Sequence, residues 1–258
     1  MQLITLTTDW GTRDYHVGAL KGLLHSVYPG ITIVDISHQI ASHNIQQAAY
    51  IFRNAYTRFP ENTVHIIGVN GYLGGKTELL AIRKDGHGFI GMNDGFFSLI
   101  FGEQPPSNMV SVKTDFIMKP GFDLETLAST AAHLLEGQSV FELGNRPEKY
   151  ELRMDFKPVI EEEVIRGVVI YIDEFGNVVT NIYKNLFEEQ IKGRKFEIVT
   201  RKLTNILDEI RYRYHELEPG GMVAIFNDAG LLEISINQGS ASKLLGLKLN
   251  DNIRLEFK

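Results

Sequence analysis

The sequence predicts an α/β chain: a first domain built on a doubly wound, mostly parallel sheet, followed by a smaller β-barrel or sandwich. Two observations carry this. In the first third, apolar strand-like runs alternate with stretches of helical spacing, the pattern of a parallel sheet covered on both faces. Beyond about residue 164, short β-branched runs follow one another with little helix between them, the pattern of a small β-rich domain.

Residues 2–8 form an apolar first strand that ends in Thr7-Thr8-Asp9-Trp10-Gly11. Residues 14–28 carry Val17, Leu20, Leu24 and Val27 at helical spacing and stop at Pro29-Gly30. Residues 31–36 (ITIVDI) are a second buried strand running into Ser37-His38, and a helix from about Ile45 to Phe59 is closed by Pro60. Residues 63–69 make a third strand. Asp9, Ser37, His38 and Asn70 then fall together at the carboxyl ends of the strands, where sheets of this class bind ligands. The glycine-rich stretch 68–75 lacks both phosphate-loop spacings and reads as a tight turn into a strand at 79–84. Residues 88–92, a short helix near 96–101, a strand near 110–113 and a helix over 124–135 complete a first domain of residues 1–150.

A charged, unpatterned linker at about 145–163 leads to a second domain, 164–258. Its strands are read at 167–172, 178–183, 194–199, 222–226, 231–236 and 252–257, with helix chiefly over Leu203–Leu217.

Composition narrows the function. At 258 residues the chain can hold one large core or two modest ones. A net charge of −6 with no basic stretch argues against a nucleic-acid partner. The absence of cysteine excludes disulfides, thiolate nucleophiles and cysteine metal sites. The eight histidines show no metal-ligand spacing, so no metal or other cofactor is expected. MQLITLTTDWG reads as a strand and not a signal peptide, and no apolar run would span a bilayer, so no membrane association and a cytoplasmic location are expected.

The run GVVIYIDEFGNVVTNI, residues 167–182, places an acid, an aromatic and an amide (Asp173, Phe175, Asn177) on a five-residue turn between two apolar strands. Such a set could cradle a flat heterocycle with a polar edge, or simply be a bulged hairpin whose Asp and Asn bond their own turn. Asp9 and Asp14 bracket Trp10-Gly11. A carboxylate at a strand end can accept both hydroxyls of a ribose and a second can hold an ammonium group, although Asp14 serves equally as a helix N-terminal charge.

D-x-FGN-x-x-TNI is similar to the C-terminal signature of the S-adenosylmethionine (SAM) hydroxide adenosyltransferases, the family that includes fluorinating and chlorinating enzymes. TDWGTRDYHVGALKG, VDISHQI and NDAGLLEISINQGSASKLLG (227–246) resemble three further blocks of the family in the same order. The resemblance implies SAM or adenosine as ligand, with Asp9 on the ribose diol, Asp14 on the methionine amino group, Trp10, Asp173, Phe175 and Asn177 around the ligand, and Asn227, Glu233 and Ser240 closing over it. It also implies a homotrimer with sites between subunits.

The chain departs from the family's hydrolases at three groups thought to handle the attacking water. Where a VDPGVGT-like loop carries Asp, this sequence has Asn70; Thr77 or Glu78 stands at the following Arg. In the FHGRD-like segment Phe122 takes the His position and Leu124 the Arg position, leaving Asp123 between them. Asn70 and Asp123 are therefore the residues considered for catalysis. A divergent SAM hydrolase and a SAM- or adenosine-binding protein without turnover are both open, and Tyr72 and Leu73 bear on whether a water or halide has room.

Overall fold

A computed structural model describes residues 2–70, 77–113, 123–200 and 207–258. The chain divides into two compact units, residues 1–155 and 156–258.

In the first unit the order is β1 (Leu3–Thr8), α1 (His16–Val27), β2 (Thr32–Ser37), α2 (Ile45–Tyr56), β3 (Val64–Gly68), β4 (Leu79–Lys84), β5 (His87–Met92), α3 (Phe96–Phe101), β6 (Asn108–Val112), α4 (Leu124–Leu135) and β7 (Gly144–Asn145). The strands form one sheet in the order β2-β1-β3-β5-β4-β6-β7. Pairing is parallel from β2 to β5. It turns antiparallel beyond, because the Asp85-Gly86 turn between β4 and β5 is too short for the crossover a parallel pair needs.

Period-2 alternation sends neighbouring side chains to opposite faces. Ile66 and Ile90 join Leu20 and Leu24 of α1 and Leu127, Ala131 and Leu134 of α4 in one core. Ile67 and Phe89 join Phe52 of α2 and Phe96 and Phe97 of α3 in the other. Both faces are thus covered, as the alternating sequence predicts. The helix boundaries are local chemistry: α2 begins where the Asn44 side chain accepts from Gln47 N–H at 3.0 Å, and α1 stops ahead of Pro29. The chain leaves β1 toward β2 on one side, then returns to β3 on the other. The cleft between the ends of β1 and β3 is therefore a topological switch point.

The second unit contains β8 (Val159–Ile160), β9 (Val164–Ile172), β10 (Val178–Tyr183), α5 (Lys184–Ile191), β11 (Phe196–Val199), β12 (Ile210–Arg211), β13 (Met222–Phe226), β14 (Leu231–Ile236), α6 (Ala241–Leu245) and β15 (Asn252–Phe257). They build a second sheet, β11-β15-β9-β10-β14-β13-β12, with β8 added on β9. Its core gathers Ile165, Val169, Val178, Ile182, Ala224, Leu232, Ile234, Ile253 and Leu255.

One sequence expectation is overturned. Within the stretch Leu203–Leu217 the described part, 207–217, holds β12 and one 3₁₀ turn, Tyr214–Glu216, not a helix. Ile210 and Arg211 pair with Ala224 and Ile225, and the Glu216 carboxylate accepts from the Tyr212 and Arg213 N–H groups. Strand pairing and that side-chain cap win over an apolar spacing that suits a helix. Two short helices, α5 and α6, fall where strands and turns alone are expected.

Candidate active site

At the switch point the polar residues that follow the parallel strands converge. Asp9, just past β1, accepts on Oδ2 from the backbone N–H of His43 at 2.8 Å and of Asn70 at 3.2 Å. Both donors sit in left-handed backbone, His43 at φ 63° and Asn70 at φ 53°, which turns their N–H groups toward the carboxylate. Asn tolerates that conformation better than most residues. The Asn70 side chain then accepts from His43 Nδ1 (3.1 Å) and donates from Nδ2 to Asp94 Oδ2 (3.2 Å). With the amide in this orientation, His43 donates from Nδ1. Asp94, two residues beyond β5, also accepts from Phe96 N–H on Oδ1 at 3.0 Å. Burial raises its pKa above the ordinary carboxylate value, against the lowering effect of the Phe96 N–H, the Asn70 amide and Arg153.

Trp10 is half-buried against the first core, and its ring lies so close to β3 that a Cβ on Gly68 would come within 2.7 Å of it. Glycine at 68 is what lets the indole cover the strand end. Asp14 is exposed, two residues ahead of α1, and makes no hydrogen bond or ion pair among the described residues. His38 is buried, its Nδ1 2.7 Å from Thr8 Oγ1 and its Nε2 3.1 Å from Asp35. Asp123 caps α4: its Oδ1 accepts from Thr126 N–H at 3.1 Å and its Oδ2 from the Thr126 hydroxyl at 2.6 Å. Leu124 opens α4 and packs on the core. Glu78 accepts from the Asn93 side chain at 3.3 Å. Phe122, Tyr72 and Leu73 lie outside the described residues.

In the second unit the turn between β9 and β10 is closed by its own side chains. Asn177 donates from its backbone N–H to Asp173 Oδ1 and from Nδ2 to Oδ2, each at 2.8 Å. Gly176, at φ 83°, lies where a Cβ would be 2.0 Å from Ser240 Oγ, and its carbonyl accepts from Ser242 N–H at 2.9 Å. The turn is thereby seated on the N-terminus of α6, which Ser240 caps. Phe175 projects outward, 79% exposed. Beside it is a pocket of about 510 Å³ lined by Phe175, Asn177, Tyr214, Ile236, Gln238 and Gly239. Under its wall Glu233 is buried and accepts from Tyr214 OH (2.9 Å), Ser235 OH (2.8 Å) and Asn227 Nδ2 (3.1 Å). Desolvation, and then Glu233, push the Tyr214 phenol upward, so it stays a hydrogen-bond donor.

Of the residues named from the sequence, the structure brings Asp9 and Asn70 together, Asp173 beside Asn177, and Asn227 beside Glu233; Asp94, His43 and Tyr214, not named from the sequence, join them. Asp94 has a legible signal: like Asp9 it follows a strand of the parallel set by two residues or fewer, within an Asn-Asp-Gly turn. No group of three or more His, Asp or Glu side chains is placed to hold a metal among the described residues, and no helix among them is long and apolar enough to cross a membrane.

The fold and site define a doubly wound α/β unit with its polar crevice at the strand ends, joined to a β-rich unit that carries its own apolar pocket. The chain belongs to the SAM hydroxide adenosyltransferase family: residues 4–144 match the family's N-terminal domain and residues 167–254 its C-terminal domain. It is 28% identical to an (R)-S-adenosyl-L-methionine hydrolase of Methanocaldococcus jannaschii over 100% of this chain and 97% of that one. It is 27% identical to a fluorinase of an Actinoplanes species, covering 72% and 74% of the two chains. Among solved structures, an uncharacterized conserved protein from Thermotoga maritima superposes with a TM-score of 0.85 at 26% identity, covering 98% of this chain and 99% of that one.

Proposed function

We propose that this protein binds SAM and catalyses nucleophilic substitution by water at the ribose C5′, giving adenosine and methionine. The observation that carries the reading is the Asp9 carboxylate. Two backbone N–H groups hold its Oδ2 at the switch point, and in this reading Oδ1 is the oxygen offered to a diol. In this reading Asp9 takes the ribose hydroxyls and the exposed Asp14 takes the methionine ammonium. Phe175 offers its exposed ring to the adenine, and Asn177, whose Nδ2 is committed to Asp173, offers its carbonyl to the adenine amino group. Asn227, Glu233 and Ser240 act by holding the pocket wall.

The chemistry suits such a site. SAM carries a sulfonium and its leaving group is a neutral thioether, so charge disperses in the transition state. Catalysis then rests on holding water, C5′ and sulfur in line, an effect that can supply about 7–11 kcal/mol. A homotrimer in the cytoplasm, with each ligand between subunits, belongs to the same reading. It is supported by the family resemblance and by the large exposed rings of Phe175 and Tyr212 on the single chain.

The test is to incubate purified protein with SAM and follow adenosine and methionine by chromatography, beside an Asp9→Ala control and calorimetric titrations with SAM and adenosine. Product from the wild type and not from the control is the expected outcome. Tight binding with no product would make the protein a SAM-binding module, the reading favoured by the absent Asp, Arg and His at matched positions. Neither binding nor product would overturn the assignment.

A further inference from the structure

The Asn70–Asp94 pair poses a chemical question. Asn70 stands where the hydrolases of the family carry an acid, and an amide cannot take a proton. Its side chain is nevertheless hydrogen-bonded at 3.2 Å to a carboxylate that arrives from a different strand. We propose that Asp94 is the general base of this chain, the acidic function having moved across the hydrogen bond from position 70 to the end of β5. This rests on the reading that the protein hydrolyses SAM.

Geometry favours Asp94 over the other acids at the cleft. Asp9 has two backbone donors on one oxygen and, in the proposed pose, the ribose diol on the other. Asp94 takes the Phe96 N–H on Oδ1 and the Asn70 amide on Oδ2, with its own backbone N–H as a further donor, so three donors share the four acceptor sites of its two oxygens. If α3 needed only a cap, the Oδ1 bond to Phe96 would suffice. The second oxygen is instead turned to Asn70, whose backbone N–H is itself bound to Asp9. Asn70 therefore links Asp94 to Asp9, the group that takes the sugar in the proposed pose.

The charged and titratable groups around it come from four segments. Arg153 donates from Nε to the Asp94 carbonyl at 3.0 Å, His43 reaches it through Asn70, Asp9 shares Asn70 with it, and Glu78 is bound to the neighbouring Asn93. Arg153 is held in place by its own N–H to Ser98 Oγ at 2.8 Å and by packing on Gly95, where a Cβ would meet its Cγ at 2.4 Å.

In the step proposed, the water oxygen bonds to C5′ as the C5′–S bond breaks. The bonding pair leaves on sulfur as neutral methionine, and the water's proton passes to an Asp94 oxygen, from which it is lost to solvent. A base must be ionised to act, so the rate should fall as pH drops through the Asp94 pKa, which burial raises from its ordinary value.

The experiment is a pH profile of kcat and KM for SAM with the wild type, Asp94→Asn, and the exchange variant Asn70→Asp/Asp94→Asn. Asp94→Asn should lower kcat about 10²–10⁴-fold with KM little changed and should remove the acid limb. The exchange variant, which returns a carboxylate to position 70, should recover kcat to within about tenfold of the wild type. Where Asp94→Asn also lowers the unfolding temperature through the α3 cap, the exchange variant decides: recovery supports the assignment and none overturns it. Asp94→Asn with undiminished kcat and an intact acid limb overturns this assignment alone, whereas a wild type that makes no product overturns it together with the hydrolase reading.

Discussion

The two units hold their polar groups in opposite ways. At the ends of β1, β3 and β5, Asp9, Asn70 and Asp94 are linked to one another, stand only partly buried and keep acceptor capacity beyond the bonds they make. In the second unit, Glu233 on β14 is buried with three donors on its two oxygens, and at the β9–β10 turn Asp173 and Asn177 bond each other three times. The first arrangement leaves charge available to a substrate. The second uses charge to fix the shape of a wall, presenting Phe175 and Tyr214 on a frame that does not need a ligand to hold it. The same residue types therefore do different work according to how many of their lone pairs the fold has already claimed.

The strongest way to break this comparison is to remove Glu233. Glu233→Ala would leave the Tyr214 hydroxyl, the Ser235 hydroxyl and the Asn227 amide without their acceptor in a buried site. Each such orphan costs about 1–3 kcal/mol, so a loss of about 3 kcal/mol or more is expected. For a unit of this size that lowers the unfolding temperature by roughly 10 °C or more. Glu233→Gln, which keeps an acceptor for Tyr214 and Ser235 but turns an NH₂ toward Asn227, should lose less. An unchanged thermal midpoint for Glu233→Ala would mean that the network is not what holds the wall.

A second test sharpens the contrast inside the first unit, between its open cleft and a polar string sealed in its body. Thr5 Oγ1 lies 2.7 Å from His65 Nδ1, and His65 Nε2 lies 3.1 Å from His87 Nδ1, within a cage of Phe52, Tyr56, Phe59 and Phe89. Desolvation, and then the neighbouring His87, lower the His65 pKa from 6.5 to about 3. The unfolded chain therefore binds a proton that the folded chain refuses. Stability from this source is complete above the unfolded value and is lost as pH falls from 6.5 toward about 3. At pH 4 the loss is about 3 kcal/mol. Denaturant unfolding of the first unit as a function of pH should show that slope, and His65→Leu should flatten it. A slope unchanged by the substitution would place the acid sensitivity elsewhere.

Most of what positions the site could be read from the sequence. Thr8 and Gly68 end strands whose apolar alternation is plain, so the meeting of Asp9 and Asn70 follows from topology, whereas His38 turns to Thr8 and Asp35 instead. At 173–177 the sequence offered a self-bonded hairpin or a cradle for a ligand, and the structure shows the hairpin bonds with the Phe175 ring left exposed. For Asp94 the place just past β5 was legible but the partner was not, because a carboxylate in an Asn-Asp-Gly turn carries no mark of the amide that meets it from residue 70, 24 positions earlier. Nor was the 207–217 stretch, where Ile210 has a helical spacing but a strand partner in Ala224. In each case the missing information was a long-range pairing, not a local preference.

Asp123 gives the smallest effect and the cleanest discrimination between a carboxylate that serves the fold and one that serves chemistry. Its position beside residues matching the family's water-handling segment makes it a reasonable catalytic candidate by sequence. In the structure both oxygens meet Thr126, and the N–H bond is that of a helix cap. Asp123→Ala should accordingly cost about 1 kcal/mol through the lost cap, a few degrees in thermal midpoint, and leave kcat for SAM within about twofold. Asp123→Ser, which restores a capping oxygen without the charge, should recover most of the stability. A large fall in kcat for both variants, with the midpoint of the serine variant restored, would return Asp123 to the chemistry and weaken the case for Asp94 as the base.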